Sequence, residues 1–274
     1  MKIAVIADPH IGTEKANFVP NWEAVAAHVN SLDVAFSVVL GDLTLDGANL
    51  EDDLIFAKGA LTALRQPVLV LPGNHDVGDV SRESWQPADA KRLARWKHHF
   101  GSDRWICDTI PGWRLVGINS QILGTGLAEE EEQWEAIGAA LDPSSNRVTI
   151  LFTHMPLFLE NWDEADRPYW AVLGHARKRL RMLLKTSGTA AVVSAHVHRT
   201  LDLHQASEPQ MIWTAASSFL SRDESMPSQP GKEFLGVTIL DFTGDDLDVR
   251  FDSVPGIATT YIEDYKGSIY PAPV

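Results

Sequence analysis

Five short polar motifs, each placed directly after an apolar run, constrain this chain more than any other feature. Asp8-Pro9-His10 follows the run Lys2 to Ala7, Gly41-Asp42 follows Ala35 to Leu40, and Gly73-Asn74-His75-Asp76 follows Val68 to Leu71. Thr153-His154 follows Arg147 to Phe152, and Ala195-His196-Val197-His198 follows Ala190 to Ser194. Short apolar runs rich in β-branched residues and bounded by Gly or Pro read as buried strands. Ligands of open α/β sheets bind beyond the carboxyl ends of the strands, so the motifs are expected to converge on one crevice.

Helical spacing fills the gaps between the runs. Apolar residues recur at the helix period over Asn21 to Leu32 and Asn49 to Leu64, the second with Asn49 as its expected cap. Further helices are expected at about Ala88 to Phe100, at Glu129 to Leu141 and at Gly174 to Lys185. Glu129 to Glu132 read as a solvated helix start that complements the dipole. Alternation of strand and helix predicts parallel pairing through crossover helices. Short strands are expected at Arg104–Asp108 and Arg114–Asn119. After Ser194 the helices stop, and Leu201–Gln205, Gln210–Ala215, Phe234–Asp241 and Asp246–Phe251 read as successive strands. No repeat, low-complexity tract or linker divides the chain, so residues 1–274 are expected to form one domain.

Composition removes several function classes. The chain carries 37 Asp and Glu against 23 Lys and Arg, a formal charge of −14, which argues against a dedicated nucleic-acid binder. A single cysteine, Cys107, excludes an internal disulfide framework and a multi-cysteine zinc module. No apolar run approaches the roughly 18 residues of a membrane span. The short apolar start lacks the length of a secretory core, so a cytoplasmic protein is expected.

The motifs supply two Asp, one Asn and four His: Asp8, His10, Asp42, Asn74, His154, His196 and His198. All donors are nitrogen or oxygen, a set suited to Mn, Fe, Co or Zn. So many ligands exceed the three that a tetrahedral catalytic zinc takes from protein. They suit two divalent ions, provided that one carboxylate bridges them. Two such ions against two aspartates and a hydroxide leave residual positive charge that would attract a phosphate ester.

The ordered pattern D-x-H, G-D, G-N-H-D, H and H-x-H, from Asp8 to His198, resembles the calcineurin-like metallophosphoesterases. Gly41-Asp42-Leu43-Thr44-x-Asp46-Gly47 and Gly73 to Asp76 are similar to the class III cyclic nucleotide phosphodiesterases and related bacterial diesterases. The resemblance implies an α/β four-layer αββα sandwich, two mixed sheets face to face with helices outside. It implies that Asp8, His10 and His198 hold one metal, that Asn74, His154 and His196 hold the other, and that Asp42 bridges. His75 would be catalytic, facing the phosphate with Asn74, and would stabilise the transition state or protonate the leaving oxygen. The implied reaction is hydrolysis of a phosphodiester by a metal-bound hydroxide, with 3′,5′- or 2′,3′-cyclic nucleotides as first-choice substrates. Monoesterases, glycerophosphodiesterases and pyrophosphatases share the constellation, and a non-catalytic protein-binding scaffold would be marked by lost ligands. Asp76 is expected to orient His75 through a hydrogen bond. Ala195 stands where the family has Gly, which matters only if that position needs φ > 0.

Two segments lie outside these motifs. Leu157 to Trp170 carries Phe158, Trp162, Tyr169 and Trp170, and reads as a lid whose aromatics stack on a flat leaving group. The extension from about residue 255, with Tyr261, Tyr265 and Tyr270, would wrap the body or contact a second copy in a homo-oligomer. Arg199, adjoining the last motif, is the cation nearest the ligands in sequence.

Overall fold

A computed structural model describes residues 1–81, 84–265 and 268–269. Its first sheet has the order β11-β10-β1-β2-β3: β1 (Lys2–Ile6), β2 (Ser37–Leu40), β3 (Val68–Leu71), β10 (Val237–Thr243) and β11 (Asp246–Asp252). β1, β2 and β3 run parallel, and β10 and β11 add antiparallel to the free edge of β1. The second sheet has the order β4-β5-β6-β7-β9-β8: β4 (Trp105–Cys107), β5 (Trp113–Ile118), β6 (Val148–Thr153), β7 (Ala191–Ser194), β8 (Leu201–Leu203) and β9 (Gln210–Trp213). Its four central strands are parallel and both edge strands antiparallel. Both sheets are therefore mixed.

Strand periodicity decides which residues build which layer. Ile3, Val5 and Ala7 alternate inward with Val38 and Leu40, and meet Leu115, Ile150, Phe152, Ala191 and Val193 of the other sheet to form the central core. Their neighbours face outward. Ala4, Ile6 and Val39 pack under Trp22, Val25 and Val29 of α1 (Val19–Ser31) and Ala57 of α2 (Glu51–Ala60). Val116, Leu151 and Val192 pack under Trp134 and Ile137 of α5 (Ala128–Ala140) and Leu180 and Leu184 of α6 (Gly174–Ser187). The result is helix, sheet, sheet, helix, as the four-layer sandwich expects. Central strands hydrophobic on both faces need this cover. Two helices complete the set: α3 (Asn74–Val77) and α4 (Ala90–Phe100).

Some local expectations are corrected. The helix expected over Asn49 to Leu64 stops at Ala60 and finishes as a 3-10 turn, Leu61–Ala63. Leu50, not Asn49, is its first flanking residue. The Asn49 amide instead donates to Asp46 (2.8 Å) and accepts from Arg92 (2.9 Å). Glu130 is not solvated: it is 8% exposed and accepts from the main-chain N–H of Gly124 and Gly126 and from Trp134 Nε1. Tyr261 pairs with Leu220, and Ile262 and Glu263 reach the mouth of the cleft described below; Tyr270 lies outside the described residues.

Candidate metal centre

Each polar motif leaves its strand through a sharp turn. Of the seven non-glycine residues with positive φ among the described residues, five are Asp8 (52°), His10 (46°), Asp42 (45°), His196 (72°) and His198 (50°). Left-handed backbone costs energy for such residues and persists only where the surroundings enforce it. Here main-chain bonds stitch the turns together: His10 N to Asp42 O (2.9 Å), Ala195 N to His154 O (2.8 Å) and Ser217 N to Ala7 O (2.9 Å). Ala195 is not among the positive-φ residues, so the replacement of Gly there carries no strain.

The structure brings all the sequence-expected donors into one buried cluster, fed by β1, β2 and β3 of the first sheet and β6 and β7 of the second. Asp8, His10 and His198 present ligand atoms within 4.8 Å of one another, and so do Asp42, His154 and His196; His10, Asp42 and His75 form a third such set. Asp8, Asp42, Asn74 and the four histidines are at most 6% exposed.

Main-chain carbonyls determine which ring nitrogens are available. A nitrogen beside a carbonyl oxygen must carry the proton, leaving the other as a lone pair. His154 Nδ1 meets Leu40 O (3.0 Å), His196 Nε2 meets Tyr169 O (2.7 Å) and His198 Nδ1 meets Phe219 O (2.6 Å). The nitrogens left over on His154 and His196 then face each other at 3.2 Å, and the one left over on His198 faces His10 Nε2 at 3.3 Å. His154 Nε2 also faces Asn74 Oδ1 at 3.3 Å. Buried ring nitrogens and an amide oxygen held this close fit a shared positive charge, a metal ion or a proton, between them. Asn74 Nδ2 is buried without a hydrogen-bond partner, a further sign that its amide is placed for something besides protein.

The charges agree. Burial, with the carboxylates of Asp42 and Asp76 beside it, holds Asp8 well above the usual carboxylate range despite His154. Asp76 is raised to about 6 by burial and by Asp42. Burial lowers His10, His196 (to about 3) and His198 (to about 4), keeping these rings neutral as metal ligands require. Burial would also lower His154, but Asp42 and Asp8 overcome it and raise the ring to about 9; there a proton stands in for a cation. Burial opposes ionisation of Asp42, yet His154 and His75 hold it well below the usual range. The donor set and its field thus fit divalent ions.

Asp76 has a different task from the one expected. Its carboxylate accepts from Leu43 N, Thr44 N, Thr44 Oγ1 and Gly73 N, clasping the turn after β2 to the turn after β3. His75 is oriented by Leu45 O, which meets its Nδ1 at 2.8 Å. Three of these four bonds reach Leu43 and Thr44, 32 or 33 residues away, and leave no trace in local sequence.

Outside the cluster lies a cleft of about 320 Å³, walled by His10, Asp42, His75, His196 and His198 and, from other segments, by Tyr169, Trp170, Phe219, Ile262 and Glu263. Tyr169 and Trp170 therefore reach it. Phe158 and Trp162 do not: they are 1% and 5% exposed and pack under α6. Arg199 turns away and is consumed by Ser221 O, Asp223 and Glu233.

A family model, that of the calcineurin-like phosphoesterases, matches residues 1–200. Three curated relatives are similar. A probable glycerophosphodiester phosphodiesterase GpdQ of Arcobacter nitrofigilis is 29% identical, covering 73% of this chain and 72% of its own. The 3′,5′-cyclic adenosine monophosphate phosphodiesterase CpdA of Escherichia coli is 25% identical over 74% of this chain and 71% of that protein. The human serine/threonine-protein phosphatase CPPED1 is 24% identical over 72% of this chain, and the match spans only 59% of the human protein. Among solved structures, a dimetal phosphatase from Danio rerio superposes with a TM-score of 0.62 at 13% identity, covering 91% of this chain and 95% of that one. With the family model matched over residues 1–200, which span β1 to β7, this chain belongs to the calcineurin-like phosphoesterases.

Proposed function

We propose that this protein is a phosphodiesterase that works with two divalent metal ions, Mn, Fe, Zn or Co. The facing imidazole nitrogens carry the reading: His10 Nε2 to His198 Nε2 at 3.3 Å and His154 Nε2 to His196 Nδ1 at 3.2 Å. Asp8, His10 and His198 would hold one ion, Asn74, His154 and His196 the other, with Asp42 between them. When bound, the ions supply Lewis-acid polarisation of the phosphoryl group and a nucleophile available at neutral pH. The residues do the rest. Asn74 and His75 would face the phosphoryl group; with Nδ1 held by Leu45 O, His75 would protonate the leaving oxygen from Nε2 only as the imidazolium. Leu40 O, Tyr169 O and Phe219 O fix the ligand rings in the required tautomers.

A diester is favoured over a dianionic monoester by the wall of the cleft. No Lys or Arg is among the described residues lining it, and Glu263 adds negative charge. Aromatic Tyr169, Trp170 and Phe219 suit a flat base, which supports cyclic nucleotides as the first substrates to try. The similarity to GpdQ keeps glycerophosphodiesters in view, and that to CPPED1 keeps a phosphatase in view. A small-molecule substrate in the cytoplasm is part of the same proposal. No helix among the described residues is long and apolar enough to cross a membrane.

The test is hydrolysis of bis-p-nitrophenyl phosphate, p-nitrophenyl phosphate, 2′,3′- and 3′,5′-cyclic AMP and a glycerophosphodiester, in Mn²⁺ and after chelation. Chelator-sensitive turnover that favours diesters supports the proposal. Preference for the monoester makes the protein a phosphatase, and no turnover with any metal points to a scaffold.

A further inference from the structure

The loop between β6 and α6 delivers one side chain that the ligand pattern does not use. Tyr169 lines the cleft together with His10, Asp42 and His75, its hydroxyl beside the Asn74 side chain and 43% of the residue exposed. Its ring lies 5.2 Å from that of His196 and 5.1 Å from that of Trp170, the latter edge-on at 84°. One residue thus contacts both a ligand expected at the second ion, through its carbonyl, and the amide beside that ion, through its hydroxyl.

The loop holds this side chain in place without needing to swing. Arg177 of α6 is 1% exposed and donates to the carbonyls of Trp162 (2.9 Å), Leu157 (3.4 Å), Val172 (3.3 Å) and Glu164 (2.6 Å). Glu164 in turn accepts from Leu159 N and Glu160 N, and Asp166 accepts from Gly174 N. A donor fixed before substrate arrives needs no reorganisation in the transition state, which is where such donors gain their effect. A phenol with an ordinary pKa of about 10 offers one neutral hydrogen bond at neutral pH. In a cleft whose described lining has no Lys or Arg, neutral donors are the side chains that can join the expected metal ions in meeting charge on phosphorus-bound oxygens.

We propose that Tyr169 is a catalytic residue, its hydroxyl donating a hydrogen bond to a non-bridging phosphoryl oxygen as negative charge builds there. The inference rests on the phosphoesterase reading above. No proton is transferred, and the phenol stays neutral throughout. The main-chain carbonyl that orients His196 is a separate contribution, which a side-chain substitution leaves intact.

Tyr169→Phe removes only the hydroxyl, keeping the ring against His196 and Trp170. Mn²⁺-loaded wild type and variant are compared for metal content, for orthovanadate affinity by calorimetry, and for kcat and KM with bis-p-nitrophenyl phosphate. We expect unchanged metal content, vanadate binding weakened on the order of 10- to 100-fold, kcat reduced about 10²- to 10³-fold and KM within about threefold. Vanadate affinity and kcat within about twofold of wild type would overturn the role, since loss of one such donor costs far more. Loss of metal would overturn it too, making Tyr169 a support for Asn74. A wild type that binds vanadate but hydrolyses no ester contradicts the proposed function, while the vanadate ratio still decides on Tyr169. A wild type that binds no vanadate overturns both.

Discussion

A methyl group at position 73 would sit 2.2 Å from Asp42 Oδ1 and 2.3 Å from Asp42 N. Neither atom can move without disturbing the carboxylate between the two expected ions. Gly73→Ala should therefore lose metal and turnover and be destabilised by about 1–3 kcal/mol, read by metal analysis and thermal melting. His75→Ala separates chemistry from binding: metal content should hold while kcat falls about 10²- to 10⁴-fold. Full activity in that variant would remove His75 from the reaction. At this scale the donors were legible, because Asp, Asn and His after apolar runs announce their chemistry by type. The tasks of Asp76 and Glu130 were not. Both accept from N–H groups that only the folded chain brings near, such as Thr44 N for Asp76 and Gly124 N for Glu130.

The segment after β6 shows how a loop with four aromatics divides its work. Phe158 and Trp162 face the body, where Trp162 stacks tilted on Phe158 at 4.9 Å, while Tyr169 and Trp170 face the cleft. Trp162→Ala should cost about 3–5 kcal/mol of stability through the cavity it leaves. Its KM should change little, whereas Trp170→Ala should raise KM for the preferred diester at nearly unchanged melting temperature. The reverse pattern would make the buried face the substrate-facing one. Sequence could not make this division, because an irregular loop has no period from which to infer a face. Regular elements fared better: β3 was expected at Val68 to Leu71 and found there, and the others mostly shifted by one to three residues at their ends. The short helix α3 escaped notice because Gly73-Asn74 alone reads as a turn.

Taken as a whole, the molecule carries −14, and its proposed substrate is an anion. Long-range repulsion should slow encounter at low salt. Raising ionic strength from 0.01 M to 0.15 M, which shortens the screening length from about 30 Å to about 8 Å, should therefore raise kcat/KM for a diester. A fall would mean that local positive charge already dominates steering. Removing metal leaves Asp8, Asp42 and Asp76 crowded with little but a proton on His154 to offset them, so chelation should lower the melting temperature. Restoring Mn²⁺ at 100 times its Kd should return about 2.7 kcal/mol, a shift of several degrees. An unchanged melting temperature would show that the carboxylates are not metal-linked.

The order of strands in the first sheet has a consequence for biosynthesis. β1 lies between β2 and β10, pairing Lys2 with Asp241 and Val5 with Thr238. A ribosome that has translated through His198 has already made every expected donor, yet one side of β1 still lacks its neighbour. Until Val237 and the strand behind it emerge, that side is an open edge able to pair with other chains. Nascent protein must therefore be shielded longest at the strand that carries Asp8 and His10, and a product stalled near residue 200 should aggregate despite holding a full set of donors.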